Sequence, residues 1–465
     1  MSAVQQQGKF GTQRYRQVLN KFDRNLVDTY YQRGKISLKL KKYQAAISDF
    51  DAVLQLDPQN IKAYLIRGYT YGEIDELERE IADYSEAILL EPRLPKAYRA
   101  RGFALGKLQK YDLAIADFDR AIELDPDYAQ AYFNLGSVHQ LLKKYHLAIA
   151  DFTQVIRLQP TNTKAYYYRG SIYQELEDLS GAIADFSEVI RLDPNHHQAY
   201  QQRGKAYFLQ KSYHDAIIDY SQAILLDDRD WQSRYYQGHA YRQLENYSHA
   251  LDSYSEVIKL KPRLASAYQN RGYVCGQLKD FQGAVFNYTE AIALAPQKFG
   301  NYYHRGNAYY FLGQYQEAIA DYTSCIKLKP DYNRVYFNRG VTYCAMGEYR
   351  KAIDDYNLAL TAQTKSSLIY TNRGVAYQNL QQHRRAIADY SQAIFFDPNY
   401  ADAYYNRALV YQTLAARDKC LQDLALAGNL YRKQGKASMA QKALIMQQKT
   451  AVEATDYRSQ TTIKF

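Results

Sequence analysis

Nine histidines and four cysteines are the side chains of this 465-residue sequence best suited to metal binding or nucleophilic catalysis. Their spacing supports neither. No CxxC or Cys/His combination has metal-ligand spacing, and no HExxH, phosphate loop or nucleophile elbow occurs. The adjacent pair His196-His197 falls in a stretch that reads as a solvated turn. Arginine beside tyrosine is the more suggestive pattern. In KAYYYRGSIYQEL, Lys164 to Leu176, three tyrosines precede Arg169-Gly170 and Tyr173 follows. Rings with an interleaved cation are what stacking on single-stranded nucleic acid requires.

The pattern recurs. Glycine stands at Gly34, Gly68, Gly102, Gly136, Gly170, Gly204, Gly238, Gly272, Gly306, Gly340 and Gly374, always 34 residues apart, and Ala408 takes the next place. Arginine precedes this place in ten of twelve repeats, with Leu135 and Gln237 as the exceptions. An aspartate lies sixteen residues beyond the arginine place in all repeats except those with Ser253 and Asn287. Gln237 and Ser253 share one repeat, as expected of two partly buried groups that need each other. The spacing predicts a ladder of Arg–Asp pairs joining two helices, in the same or the adjoining repeat. It also predicts that Asp185→Asn destabilises as much as Arg169→Leu. Repetition of this kind marks framework, not a single chemical site.

The elements that carry the pattern follow from its period. Tyr166, Gly170 and Tyr173, then Leu179, Ala182, Phe186 and Val189, sit at spacings of three and four, which marks two amphipathic helices per repeat. Pro58, Pro92, Pro126, Pro160, Pro194, Pro262, Pro296, Pro330 and Pro398 fall between one repeat's second helix and the next repeat's first. Proline ends the helix behind it, lacking a backbone donor and restricting its neighbour. These positions resemble the tetratricopeptide repeat (TPR) family. The resemblance implies an all-α, right-handed superhelical solenoid of twelve helix-turn-helix repeats over residues 27–434. Residues 1–26 are expected to form a basic segment with a short capping helix (Tyr15, Val18, Leu19, Phe22), and 435–465 a C-terminal capping helix and tail. Repeat seven stands apart, with Trp231, the single tryptophan, Arg234 at the first tyrosine place, and Asp228 where proline is expected.

Composition narrows the function classes. The 49 tyrosines mostly occupy framework places, and no linker, low-complexity tract or charge block interrupts the array. Of the net charge of +10, residues 1–26 carry +4 and residues 435–465 carry +3, so the repeats are nearly balanced. That distribution disfavours a duplex-binding face but leaves peripheral contact with RNA or anionic lipid through the ends as an alternative. Cys275, Cys325 and Cys420 replace small or aromatic framework residues, and Cys344 is placed toward the groove. Four scattered cysteines, no apolar leader and no membrane-length apolar run point to a soluble protein of a reducing, cytoplasmic compartment, with peripheral membrane association left open. No enzyme activity, small-molecule substrate, cofactor or metal is expected.

The family resemblance implies that ligands lie along the concave face formed by first helices. Groove places are then six, three and two residues before the repeat glycine, and one, four and five after it. Two before it stand Asn134, Asn270, Asn338, Asn372 and Asn406, with His304 interrupting the run. An amide both donates and accepts, so such a row suits the backbone of an extended peptide, similar to the asparagine ladders of the O-linked N-acetylglucosamine transferase superhelix and of kinesin light chains. Solvated polar residues on a helix are the alternative. Three before the glycine lie Phe133, Tyr167, Tyr235, Tyr303, Phe337 and Tyr405, candidates for side-chain pockets or for packing between first helices. Basic residues (Lys35, Lys39, Lys62, Lys96, Arg99, Lys107, Lys164, Lys205, Arg242) gather on groove places of repeats one to seven. The expected ligand is a protein or peptide, acidic where it meets the first half. The expected role is a scaffold in complex assembly, or a regulatory subunit of a separately encoded enzyme. Tyr303, Leu368 and Asn372 occupy the basic places of the family's carboxylate clamp, so that clamp is not expected.

Overall fold

A computed structural model describes residues 24–362 and 364–461, with side chains to residue 451. The stripe Tyr15, Val18, Leu19, Phe22 and the basic ends beyond these limits lie outside the described residues. Among the described residues there are helices and no strand, and the fold is an all-α helical-repeat solenoid. First helices typically span 13 residues, as in Thr163–Glu175, and second helices 14, as in Leu179–Leu192. In repeat twelve Arg432 replaces the terminating proline, and the second helix runs on for 17 residues, Arg417–Lys433. The chain divides into two compact units at Asp228/Arg229, the end of repeat six, although the sequence period passes through without interruption.

Within a repeat, the turn between helices places one residue in the left-handed region, seven after the glycine. Ten of these residues are not glycine, among them Lys41, Glu177 and Lys279, and the other two are Gly313 and Gly347. Between repeats, side chains of Asn60, Asn162, His196, Asp230 and Ser366 accept a backbone N–H and cap the next first helix. His196 is therefore a half-buried cap packed against the Tyr167 ring, and the expectation of a simply solvated His196-His197 turn is corrected.

The repeat glycine has a specific partner. A Cβ on Gly204 would sit 2.9 Å from the Tyr220 ring, and one on Gly170 3.1 Å from the Phe186 ring. In repeats one to eleven the second-helix ring thus lies on the bare backbone of the first helix. Those rings (Phe152, Phe186, Tyr220, Tyr254, Tyr322) are fully buried, with alanines such as Ala148, Ala182 and Ala216 beside them.

Arginine and aspartate pair within the same repeat. Arg169 donates through Nε and Nη2 to the two carboxylate oxygens of Asp185 at 2.8 and 2.7 Å, and through Nη1 to Thr153 of the preceding repeat at 2.9 Å. Tyr166 and Tyr173 flank the guanidinium, with ring centroids 5.8 and 5.9 Å away. Nine such Arg–Asp pairs occur among the described residues. From Arg67 onward the arginines of these pairs also reach back to a polar side chain sixteen residues earlier, such as Ser85, Ser187 or Thr323. The arginine therefore closes its own repeat and fastens it to the one before. Burial pushes the Asp185 carboxyl above its ordinary range, and the bond from Arg169 offsets part of that.

The exceptions are locally compensated. Arg271 bonds Asn287 at 2.7 Å, and Ser253 lies 3.4 Å from the Gln237 amide oxygen. Asp151 lost its arginine to Leu135 and takes His139 instead, at 2.7 Å. His139 itself stands where most repeats have the framework tyrosine. Burial pushes the Asp151 carboxyl up to about 6, with His139 opposing.

At the far end, residues 437–461 form a last helix. Ala440 packs in one cluster with Ala401, Ala427 and Tyr431, and Met446 lies against Ala408, Cys420 and Leu424. Of the cysteines, Cys275, Cys325 and Cys420 are buried, and Cys344 is half-buried within bonding distance of the Tyr356 hydroxyl.

Candidate functional site

With the framework satisfied internally, the residues that differ between repeats lie on the exposed face of the first helices. The structure gives the asparagines of the expected row several different environments. The Asn270 amide donates to the Tyr235 hydroxyl at 3.0 Å and accepts from Arg242 at 2.8 Å. Asn338 donates to the Tyr303 hydroxyl at 3.0 Å and to the Asn307 side-chain oxygen at 2.8 Å. The tyrosine three before one glycine thus bonds the asparagine two before the next. Where that ring is Phe337, Asn372 turns back to the Leu368 carbonyl of its own helix. Asn134 follows Arg99 in this register and receives a bond from Gln130 instead. Asn406, half-buried, follows Thr371. His304 stacks on Tyr288 in place of an amide, and burial lowers its pKa.

The rings also have internal partners. Phe133 packs on Phe152 and Tyr168, Tyr167 on Phe186, Tyr235 on Tyr254, Tyr303 on Tyr322 and Tyr332, Phe337 on Tyr356, and Tyr405 on Tyr431. Each lies on the buried second-helix ring of its own repeat, so only its outer edge is available. Lys35, Lys39, Lys62, Lys96, Lys107 and Lys164 are exposed, whereas Arg99, Lys205 and Arg242 are half-buried. Arg242 is held by Asn270 and the Tyr273 ring, 5.4 Å from the guanidinium.

Recesses recur between successive first helices. In repeats three and four a cleft of about 320 Å³ is lined by Phe103, Lys107, Phe118, Phe133, Asn134 and Leu141 among others. In repeats nine and ten one of about 260 Å³ is bounded by Asn307, Phe311, Phe337, Asn338 and Val341. Two more lie between repeats two and three and between eight and nine. All use the same lattice, namely places one, four and five after one glycine against two before and one after the next.

Two features escaped the sequence reading. Exposed apolar side chains stand one place after the glycine (Tyr69, Phe103, Tyr273) and five places after it (Leu141, Leu209, Phe311). Tabulating those two places would have found them. The second is Glu80, which occupies the framework alanine place of repeat two and is 5% exposed. A Cβ on Gly72 would lie 2.7 Å from its Oε2, so this glycine makes room for the carboxylate. Oε2 has no hydrogen-bond partner, and burial raises the carboxyl pKa against the pull of Lys107, Tyr84 and Arg99.

Among the described residues no group of His, Cys, Asp and Glu is placed to hold a metal ion, and no helix is long and apolar enough to cross a membrane.

Profiles of the tetratricopeptide repeat family match residues 27–60, 129–162, 163–196 and 334–363. A second profile of that description matches 197–230 and 265–298. One described as TPR repeat matches 107–143, 238–279, 306–347 and 379–414. The chain belongs to the tetratricopeptide repeat family, a protein-interaction fold. Among solved structures, the C-terminal part of a TPR repeat-containing protein from Cytophaga hutchinsonii is 20% identical, with 52% of this chain and 98% of that one covered and a TM-score of 0.47. Yeast Tom70 is 16% identical over 94% of this chain and 97% of its own, with a TM-score of 0.36. YrrB, described as a TPR protein with an unusual peptide-binding site, is 23% identical, with 40% and 95% covered and a TM-score of 0.37. A comparison with curated proteins gave no significant match.

Proposed function

We propose that the chain is a non-enzymatic scaffold that holds extended segments of partner proteins along the exposed face of its first helices. The observation that carries this reading is the set of recesses at one repeating lattice place, each lined by residues particular to its pair of repeats. Regular spacing of notches suits a ligand that is itself extended. The amides of Asn338 and Asn372 border this face, and exposed lysines on the first repeats favour acidic ligand segments there.

Panning a display library of extended peptides against the full chain tests the reading. The expected result is enrichment of peptides whose affinity falls several-fold on Asn338→Ala/Asn372→Ala, with the melting midpoint little changed. No peptide enrichment together with an RNA affinity that drops steeply with salt would overturn it. Deleting both ends is a poorer test, because the helix over residues 437–461 packs on repeat twelve.

A further inference from the structure

Gly106 is the penultimate residue of its helix, Pro95–Lys107, and has helical backbone geometry. Glycine there costs up to about 1 kcal/mol relative to alanine. Gly102 in the same helix repays that by receiving the Phe118 ring, 2.9 Å from where its Cβ would be. Gly72, at the equivalent place in repeat two, accommodates Glu80. Around Gly106 a Cβ would meet nothing within 4 Å. The fold gives this glycine no packing role, and its bare backbone lines the 320 Å³ cleft.

The walls of that cleft define its occupant. Phe118 and Phe133 line it, and Phe103 and Leu141 at its mouth are 46% and 67% exposed. Asn134, 8% exposed, is also part of the lining. Its Oδ1 is taken by Gln130, while its Nδ2 has no partner. That leaves one unused donor beside an apolar recess. At the rim stands Lys107, its ammonium 5.3 Å from the Phe103 ring centre. Arg99 lies in the adjoining recess and has an unpartnered Nε. Glu73 and Glu80 share that adjoining recess but do not line this one.

We infer that the Gly106 cleft is an anchor pocket for one bulky apolar side chain of a partner segment that carries an acidic residue beside it. The side chain covers Phe103 and Phe133, the Asn134 Nδ2 donates to a carbonyl of the segment, and Lys107 meets the carboxylate. The inference rests on the scaffold reading above and assigns a chemistry to one of its recesses.

The test uses three labelled decapeptides: one with a central phenylalanine among aspartates, a second with that phenylalanine changed to alanine, and a third with lysines for the aspartates. The wild-type chain is expected to bind the first about tenfold or more tightly than either of the others, the scale that burying one aromatic ring implies. Gly106→Leu fills the cleft without a clash at Cβ and is expected to abolish the preference while leaving the melting midpoint unchanged or higher. Leu225→Ala, on the exposed face of a second helix and away from every recess, leaves it intact. If Gly106→Leu binds the first peptide as wild type does, the pocket is not the anchor, and the scaffold reading survives. If wild type binds none of the three, this inference fails and the library experiment above decides the scaffold reading separately.

Discussion

Arg169→Leu is expected to destabilise repeat five and its neighbour by about 3–5 kcal/mol, the cost of leaving a buried charge without its partner. Asp185 is 4% exposed and keeps both carboxylate oxygens on the guanidinium, so its loss strands the anion where water does not reach. The reverse change, Asp185→Ala, is expected to cost less. The Arg169 side chain is 16% exposed, retains Thr153 and has a longer stem with which to reach solvent. The double variant should recover part of the sum, giving a coupling energy of 1 kcal/mol order or more. Toward acid the Arg169→Leu defect should shrink, because a protonated Asp185 no longer needs a cation. Denaturant unfolding at neutral and acid pH reads all four corners of this cycle, and independent effects would rule out the joint. Asp185→Asn is expected to be the mildest change, contrary to what spacing alone suggests. Repeat eight already uses Asn287 against Arg271, at 2.7 Å.

The second large effect is acid sensitivity at repeat seven. His239 is packed edge-on against Tyr235, 4.5 Å between ring centres, with Tyr254 beyond it. Burial, with Arg242 adding to it, pushes its pKa down to about 4. Between about pH 6.5 and 4 the unfolded chain therefore takes up a proton that the folded chain does not. Stability rises with pH across this window and is lost as pH falls through it, by up to about 3 kcal/mol in all. His239→Val, the residue that repeats ten and eleven carry one place after their glycines, should remove that part of the slope. Melting of the full chain between pH 4 and 7.5, followed by Trp231 fluorescence, checks this. An unchanged slope in the variant would assign the acid sensitivity elsewhere.

What could be read from the sequence was whatever depends on spacing within one repeat. The ring on the glycine, the alanines beside it and the sixteen-residue Arg–Asp interval are short-range and repeated, so each repeat restates them. The cross-repeat contacts were harder to foresee. Asn270 and Asn338 bond tyrosines 35 residues earlier, which turns amides expected to await a ligand into partly occupied groups. His139 standing in for an arginine depends on two substitutions in one repeat whose compensation is spatial. Glu80 and Gly72 form a matched exchange of volume, legible only when a carboxylate at an alanine place is set beside an extra glycine eight residues before it. Gly106 needed the opposite observation, the absence of any neighbour for its missing side chain.

The central claim is that the fold is spent on the joints between helices, and that partner segments lie on the first-helix face. Site-specific photocrosslinking measures this most directly. A photoreactive side chain is placed at Ser137 or Val341 beside the recesses, and in separate chains at Leu225 or Phe395, exposed on second helices. With peptides enriched by panning, adducts are predicted from Ser137 and Val341 and not from the other two. Adducts from Leu225 and Phe395, with Ser137 and Val341 silent, would contradict the account.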